Sequence, residues 1–435
     1  MNKLYYGPEL IICLIMLNPL LCTADAIEDI FAQANAYTVK VWTNVQTPFK
    51  EDKTGSSFGS GFVVDKKRGW IMTNAHVASY SPAQMSVEFR EGEKYTATKV
   101  YVDPYIDVAI IKIPPSKELS NARNAPLDCN EIPSTGHPVG AYGHPWGLWY
   151  TGTRGIISGK TSKYGGEDLQ TDAPINGGNS GGPLISLRTG KVNGINTASI
   201  NSDKDQSTNF AVPMKHACRI LALLKNTQDP SPPRLRLIYK NFMDEQAGLV
   251  VARSLLVPEE INLQPGDVIK AVLGSDGGDV NNEGQFVHQL RGRLDNIQLK
   301  IIRNNEEMSI IGKILPAKKI TERRGVYFSG LLLADSDFRD AADLDDMLMV
   351  HSVDPGSYAQ SREIEIWSFL TLIDGRTIND IDALYDYLSD AMNDEASVTL
   401  EFKRFTDKDD RIFDYFERAL PVEDLELIGE QSPPK

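Results

Sequence analysis

The sequence predicts a mainly β protein: a β-barrel or β-sandwich domain followed by two smaller α+β units. Three observations predict this. Between residues 37 and 115, short runs alternate apolar and polar side chains with turn residues between them, and the pattern resumes after Pro126. Asp229-Pro230-Ser231-Pro232-Pro233 is a stiff break in the chain. Beyond it, two stretches repeat one order of signals: a Gly-containing turn beside an apolar strand, a helix, then an alternating strand. The length of 435 residues fits about three domains.

The first element is a leader over residues 1–26. Lys3 supplies a weak basic start, residues 10–21 an apolar core, and Ala24-Asp25-Ala26 an A-x-A cleavage site. Retention as a membrane anchor is the alternative, although the run is short for a span and Pro8 and Pro19 flank or interrupt it. Lipidation of Cys22 is a weaker alternative, because Leu21 is bulky where such sites want a small residue. Short strands follow at 37–43, 61–65, 70–73, 85–89 and 108–113, then at 139–142, 155–158, 183–186 and 192–196. Residues 214–224 read as a helix, with Ala217, Ile220, Leu221 and Leu224 at helical spacing after Pro213. In the first repeat the turn is 266–269, the helix 286–294 and the strand 297–303; in the second they are 372–375, 381–392 and 397–404. A Lys/Arg-rich break at 316–324 separates them. The resulting division is 1–26 leader, 27–225 large domain, 226–233 linker, 234–316 and 325–424 smaller units, and 425–435 flexible tail.

Composition narrows the function. With 41% hydrophobic and 24% charged residues the chain reads as globular. A formal charge of −14 argues against nucleic-acid binding and simple adsorption to anionic membranes. Loss of the leader takes Cys13 and Cys22 with it and leaves Cys129 and Cys218, which form either one disulfide in an oxidising compartment or two separate buried thiols. Neither the cysteines nor the six histidines have metal-ligand spacing, so no metal and no cofactor is expected. His137 and His144 lie in a Gly/Pro-rich turn and read as structural or solvated.

Chemistry is concentrated in three places. Gly178-Asn179-Ser180-Gly181-Gly182 holds a serine between glycines, Thr73-Asn74-Ala75-His76-Val77 offers a base, and Asp107 heads the apolar run 108–111. A serine hydroxyl is a weak nucleophile until an adjacent base takes its proton. His76 would be that base, and Asp107 would fix its tautomer and stabilise the imidazolium. The backbone N–H groups of Gly178 and Ser180 would form an oxyanion hole. Asp103 is a rival orienter, but Asp107 directly precedes the buried run, where a carboxylate is held rigidly.

Through these motifs and others, residues 37–225 resemble the protease domain of the HtrA (Deg) family. The match runs through Gly59-Ser60-Gly61-Phe62-Val63, 73–77, 103–111, Gly143-His144-Pro145-Trp146-Gly147-Leu148, 171–184, Gly194-Ile195-Asn196-Thr197 and Asn209-Phe210-Ala211-Val212-Pro213. The resemblance implies a chymotrypsin-like pair of six-stranded antiparallel β-barrels with the triad between them. It also implies that the C-terminal units are PDZ-like, with C-terminal peptides as ligand class. Leu235–Tyr239 and Tyr327–Leu331 would be their carboxylate loops, the former without glycine.

Further implications concern control and specificity. Trypsin-like zymogens carry an aspartate before the serine that pairs with a new N-terminus; Asn179 cannot, so loop ordering within 158–169 and 194–205 is the expected control. The position that is acidic in trypsin-like enzymes falls near Pro174, and Ile175, Ile195 and Phe210 would line a modest apolar pocket, favouring cleavage after small or medium aliphatic residues. Asp172 is the nearest carboxylate. The short loop 46–57 and residues 26–36, with Phe31 as an anchor, favour a homotrimer. The implied activity is an exported, ATP-independent serine endopeptidase acting on unfolded or damaged envelope proteins, most simply in the periplasm. A regulatory protease gated by PDZ recognition, or a chaperone or scaffold without proteolysis, are the alternatives.

Overall fold

Helix α1 (Thr23–Ala34) leads into a first closed barrel made of β1 (Thr38–Val45), β2 (Gly55–Asp65), β3 (Trp70–Thr73), a one-turn α2 (Ala75–Ala78), β4 (Gln84–Glu88), β5 (Lys94–Asp103) and β6 (Val108–Lys112), with strands in the order β1-β2-β3-β6-β5-β4. This is a computed structural model that describes residues 23–429 except 91, 162–166, 200–207, 241–247, 258, 275–276, 337–343, 345–346 and 408–411. Most of the expected leader, with Cys13 and Cys22, lies outside the described residues. Inward β-branched side chains meet across the ladder, as in Val41 opposite Val87 and Ile71 opposite Ile111, all fully buried. Short α3 (Lys117–Asn121) follows, its first turn capped by Ser116, whose Oγ accepts from Leu119 N–H at 3.1 Å.

The second barrel comprises β7 (Pro138–Gly143), β8 (Thr151–Thr161), β9 (Asp168–Thr171), β10 (Pro183–Ser186), β11 (Val192–Ser199) and β12 (Asn209–Pro213), in the order β10-β11-β12-β9-β8-β7. Val139, Ala141, Ile157, Leu169, Leu184 and Ala211 fill its interior. Helix α4 (Met214–Lys225) starts directly after Pro213 and ends on Lys225, a cation suited to a helix C-terminus. Its Ala217, Ile220 and Leu221 are buried. A disulfide joins Cys129 to Cys218, with Cα atoms 5.6 Å apart across 89 residues, which resolves the two readings of these cysteines.

The first smaller unit is a six-stranded antiparallel sheet of β13 (Leu237–Tyr239), β14 (Leu249–Ser254), β15 (Val268–Val272), β16 (Gly278–Asp279), β17 (Ile297–Arg303) and β18 (Glu306–Gly312), covered by α5 (Glu283–Leu290). The Asn282 side chain caps α5. The second is seven-stranded: β19 (Gly325–Phe328), β20 (Leu331–Asp335), β21 (Leu348–Val353), β22 (Phe369–Ile373), β23 (Ser397–Asp407), β24 (Ile412–Pro421) and β25 (Glu426–Ile428), with α6 (Tyr358–Ser361) and α7 (Ile381–Asn393). Both sheets fit PDZ domains, so the molecule is mainly β with two α+β units.

Two expectations change. Residues 226–233 are not a free spacer at their distal end, because Pro230, Ser231, Pro232 and Pro233 are buried between units. The tail 425–435 begins inside a sheet, since Glu426–Ile428 pairs with β19. In the second unit, β19 and β20 form a hairpin in which Phe328 pairs with Leu331. Ser329 (φ 49°) and Gly330 (φ 82°) are both left-handed, as a two-residue type I′ turn requires. Strand β20 is therefore paired on both sides, by β19 and by β21, and β19 lies against α7.

Candidate active site

The one-turn helix α2 follows β3 and buries Ala75, Val77 and Ala78, which leaves His76 facing the cleft with its side chain 44% exposed. Asp107 sits at φ 55° at the head of β6, with its backbone C=O held by Asn74 Nδ2 at 2.8 Å. Its Oδ2 lies 2.8 Å from His76 Nδ1 and accepts from Thr197 Oγ1 at 2.6 Å, while Oδ1 accepts the His76 N–H at 2.9 Å. Burial alone would lower the His76 pKa, but the hydrogen bond and charge of Asp107 outweigh it and hold His76 above its usual value. Burial likewise acts to raise Asp107, and the His76 and Thr197 contacts bring it below the usual carboxylate range.

Ser180 lies in the turn between β9 and β10. Two glycines there are required by space and conformation. Gly178 has φ 102° and a Cβ on it would fall 2.4 Å from the His144 carbonyl; Gly181 has φ 83° and a Cβ would fall 2.1 Å from the Ser60 carbonyl. The Ser180 Oγ donates to the Thr197 carbonyl at 2.8 Å, and no hydrogen bond joins it to His76 among the described residues. Among the described residues, neither Gly178 N–H nor Ser180 N–H has a protein acceptor. Asn179 is fully buried with no partner for its side-chain amide.

Sequence reasoning passed over Ser60, Lys40 and the true setting of His144. Ser60 on β2 ties the barrels together: its N–H donates to Ser180 O at 2.8 Å, its Oγ donates to Gly178 O at 2.7 Å and accepts from His144 N–H at 3.0 Å. Lys40 is buried, donates to Gly147 O at 3.1 Å and lies 3.9 Å over the Trp149 ring. His144 is fully buried behind the serine turn, and burial with the nearby Lys40 charge pushes it down to about 4, so it is neutral at physiological pH. His137 is half-buried, its Nε2 2.8 Å from Ser186 Oγ.

The four residues expected to line a specificity pocket do not share one environment. Pro174 is exposed. Ile175 packs into the second barrel's interior with Ala173 and Leu169. Ile195 belongs instead to the cluster holding Tyr142, Val212 and α4, because strand alternation turns it out of the barrel. Phe210 is half-buried beside Asn209 and belongs to neither cluster. Ile195 is thus removed from the pocket. Asp172 is engaged elsewhere, its Oδ1 accepting Ile156 N–H at 2.6 Å. The two loops expected to order on ligand binding lie partly outside the described residues.

Contacts from the other units reach the site's supports. Asp103, the rival orienter, pairs instead with Arg291 of the first smaller unit at 2.5 Å, both fully buried. Tyr105 packs on that unit's core, 6.3 Å from His288. His216 of α4 and His288 of α5 stack at 3.6 Å with an interplanar angle of 2°. Glu167 accepts from Gln285 at 2.7 Å and lies 3.1 Å from His216; although burial opposes it, these contacts pull its pKa down to about 2. From the loop expected to be merely short, Phe49 inserts fully buried against Leu332 and Ala334 of β20. Phe31, expected as an inter-subunit anchor, stacks within the chain on Tyr142 at 5.5 Å.

Among the described residues no group of three His, Cys, Asp or Glu side chains could hold a metal, and no helix is long and apolar enough to cross a membrane. Residues 59–195 match the trypsin-like peptidase domain model. The chain is 30% identical over 295 residues to the serine protease HTRA1 of Xenopus laevis, a match covering 60% of this chain and 61% of that one. The chain thus spans less than two thirds of that relative. It is 32% identical over 302 residues to the serine protease HhoA of Synechocystis sp., covering 60% of this chain and 75% of that one. A solved structure of the HtrA-type protease AlgW with a tripeptide superposes with a TM-score of 0.53 at 26% identity, over 66% of this chain and 96% of that chain.

Proposed function

From the premise that the chain belongs to the HtrA family of serine proteases, we propose that it is an exported serine endopeptidase working through His76, Asp107 and Ser180. The observation that carries the proposal is the His76 Nδ1–Asp107 Oδ2 contact of 2.8 Å beside a serine turn with two unpaired N–H groups. His76 Nε2 takes the Ser180 proton as Oγ leaves the Thr197 carbonyl and attacks the scissile carbonyl. Gly178 and Ser180 N–H hold the oxyanion; one lost donor of this kind costs about 3–4 kcal/mol of barrier. His76 then protonates the leaving amine, and water, deprotonated by His76, releases the acyl group.

The Ser180–Thr197 hydrogen bond favours a resting state that must be switched on. The contacts from Arg291, Tyr105 and Glu167 are suited to that control. Substrates are unfolded or damaged envelope proteins, cleaved after small or medium aliphatic residues; the tied Asp172 supports this preference. The leader pattern and the Cys129–Cys218 disulfide support an oxidising, periplasm-like compartment. The first PDZ-like unit is the one we assign to C-terminal peptides, the second to scaffolding, and a homotrimer is the assembly. Casein digestion by wild type and Ser180→Ala, with native and reduced-unfolded substrate, tests the activity. Equal turnover by both would overturn it. A peptide-library digest dominated by cleavage after Arg or Lys would overturn the aliphatic preference.

A further inference from the structure

Lys40 on β1 and Ser60 on β2 are cross-strand partners, so both reach from the same face of the first barrel. Ser60 Oγ accepts the His144 N–H at 3.0 Å and Lys40 Nζ donates to Gly147 O at 3.1 Å, so the pair grips the turn 144–148 near both ends. That turn needs a grip. Trp146 sits at φ 55° and Gly147 at φ 76°. A left-handed Trp is strained and persists only where its surroundings impose the conformation. The side chains of Trp146 and Leu148 do not impose it, being 72% and 60% exposed. Lys40 is itself buried, with its ammonium 3.9 Å over the Trp149 ring just beyond the turn.

The gripped turn reaches the serine loop. Trp146 N–H donates to Gly177 O at 2.9 Å. A trans peptide points its C=O and N–H in opposite directions, so this bond turns the Gly178 N–H away from Trp146. Both residues of that peptide are glycines, and a Cβ on Gly177 would meet nothing within 4 Å, so no side chain or close packing at Gly177 selects the orientation. We propose that Lys40 is a positioning residue for the oxyanion hole: it fixes the turn whose Trp146 N–H sets the Gly177–Gly178 peptide, and so aims the Gly178 N–H. This rests on the reading of Gly178 and Ser180 as the oxyanion donors. A buried ammonium is costly unless its donors are met, which ties Lys40 to the Gly147 carbonyl and the Trp149 face.

Ser60 pins the following peptide, its Oγ donating to Gly178 O at 2.7 Å. The two peptides that flank Gly178 are thus both held from one edge of the first barrel. Complete loss of one oxyanion donor slows kcat about 10²–10³-fold. Lys40 acts through two hydrogen bonds in series, so its loss falls within that ceiling. It spares KM, because the donor's contact is made in the transition state.

The test compares full-length wild type, Lys40→Met, Lys40→Arg, Trp149→Leu and Ser180→Ala on an unfolded substrate and with a peptide boronate inhibitor. Boron accepts the Ser180 Oγ, the proton passes to His76, and the tetrahedral adduct sets one oxygen in the hole. Lys40→Met should lose kcat about tenfold or more with KM held within about twofold, and lose boronate affinity by the same factor as kcat/KM. Lys40→Arg should recover most of both, since a guanidinium also donates and stacks on an indole. If Lys40→Met does not fold, Trp149→Leu, at a half-buried position, should lose about threefold in kcat and in boronate affinity. Wild-type kcat in these variants, or a loss of kcat that leaves boronate affinity unchanged, would overturn the inference. Ser180→Ala as active as wild type would instead overturn the triad reading beneath it.

Discussion

Arg291 of the first PDZ-like unit and Asp103 of the protease domain form a fully buried ion pair at 2.5 Å, four residues before Asp107. Asp103 Oδ1 also accepts from Tyr105 and Ile106 N–H, at 2.9 and 3.1 Å, so the pair shapes the turn that presents Asp107. Removing one partner leaves an uncompensated buried charge, which costs about 3–5 kcal/mol. Denaturant unfolding should show Arg291→Met and Asp103→Asn each destabilised by that order, and the double variant less than the sum. Additive losses would show that the pair is not coupled.

What the sequence revealed and what it hid follow from distance along the chain. His76, Asp107 and Ser180 were legible because each sits beside a strand or turn whose signal is local. Ser60 was not, because its bond to Gly178 spans 118 residues and depends on how two barrels meet. Asp103 looked like a second candidate orienter because nothing local announces Arg291. Ile195 was misassigned because apolar character does not say which face of β11 it occupies. Phe49 lies in a loop whose length was legible and whose partner in β20 was not.

Catalysis should depend on His76 being neutral. Asp107 holds its pKa above 6.5, so activity should be lost on acidification through a midpoint above 6.5 and be full at higher pH. A kcat/KM profile on an unfolded substrate reads this directly, and an acid limb below 6.5 would contradict it. Ser180→Ala should lose about 10⁴-fold or more, and Asp107→Asn about 10⁴-fold in kcat.

The His216–His288 stack should make the interface with the first PDZ-like unit acid-sensitive. Burial, with the charges of His216, Arg291 and Arg219, holds His288 well below 6.5. Tyr105 closes the remaining side, and Glu167 faces His216. Below pH 6.5 the unfolded chain therefore binds a proton that the folded chain refuses. Stability from this group is complete above 6.5 and falls with pH by up to about 1.4 kcal/mol per unit. His144 acts with the same sign between 6.5 and about 4. Melting curves of His288→Phe should have a pH slope shallower by one proton; an unchanged slope would exclude the histidine.

Phe49 should hold the second PDZ-like unit to the protease domain. It is fully buried, its N–H donates to Ser81 Oγ at 2.8 Å, and Arg323 reaches Glu51 beside it at 2.8 Å. Replacing a buried Phe by Ala costs about 3–5 kcal/mol. Because the contact lies between units, Phe49→Ala should split the denaturation curve or expose residues 316–324 to limited proteolysis. A variant with one unshifted transition would show that the contact carries no energy.

The hairpin of the second PDZ-like unit should exclude an added strand. A peptide captured by strand addition needs free backbone groups on the receiving edge, and β20 gives one edge to β19 and the other to β21. The arrangement depends on the tight turn at Gly330, where a Cβ would fall 2.1 Å from Ser357 Cβ at φ 82°. Gly330→Val should therefore strain the turn and speed amide exchange in β19 and β20. In the unaltered protein, a saturating C-terminal peptide should leave exchange in both strands unchanged. If the peptide instead released β19 while β20 stayed protected, the strand would be a displaceable plug, and this unit would be a peptide receptor after all.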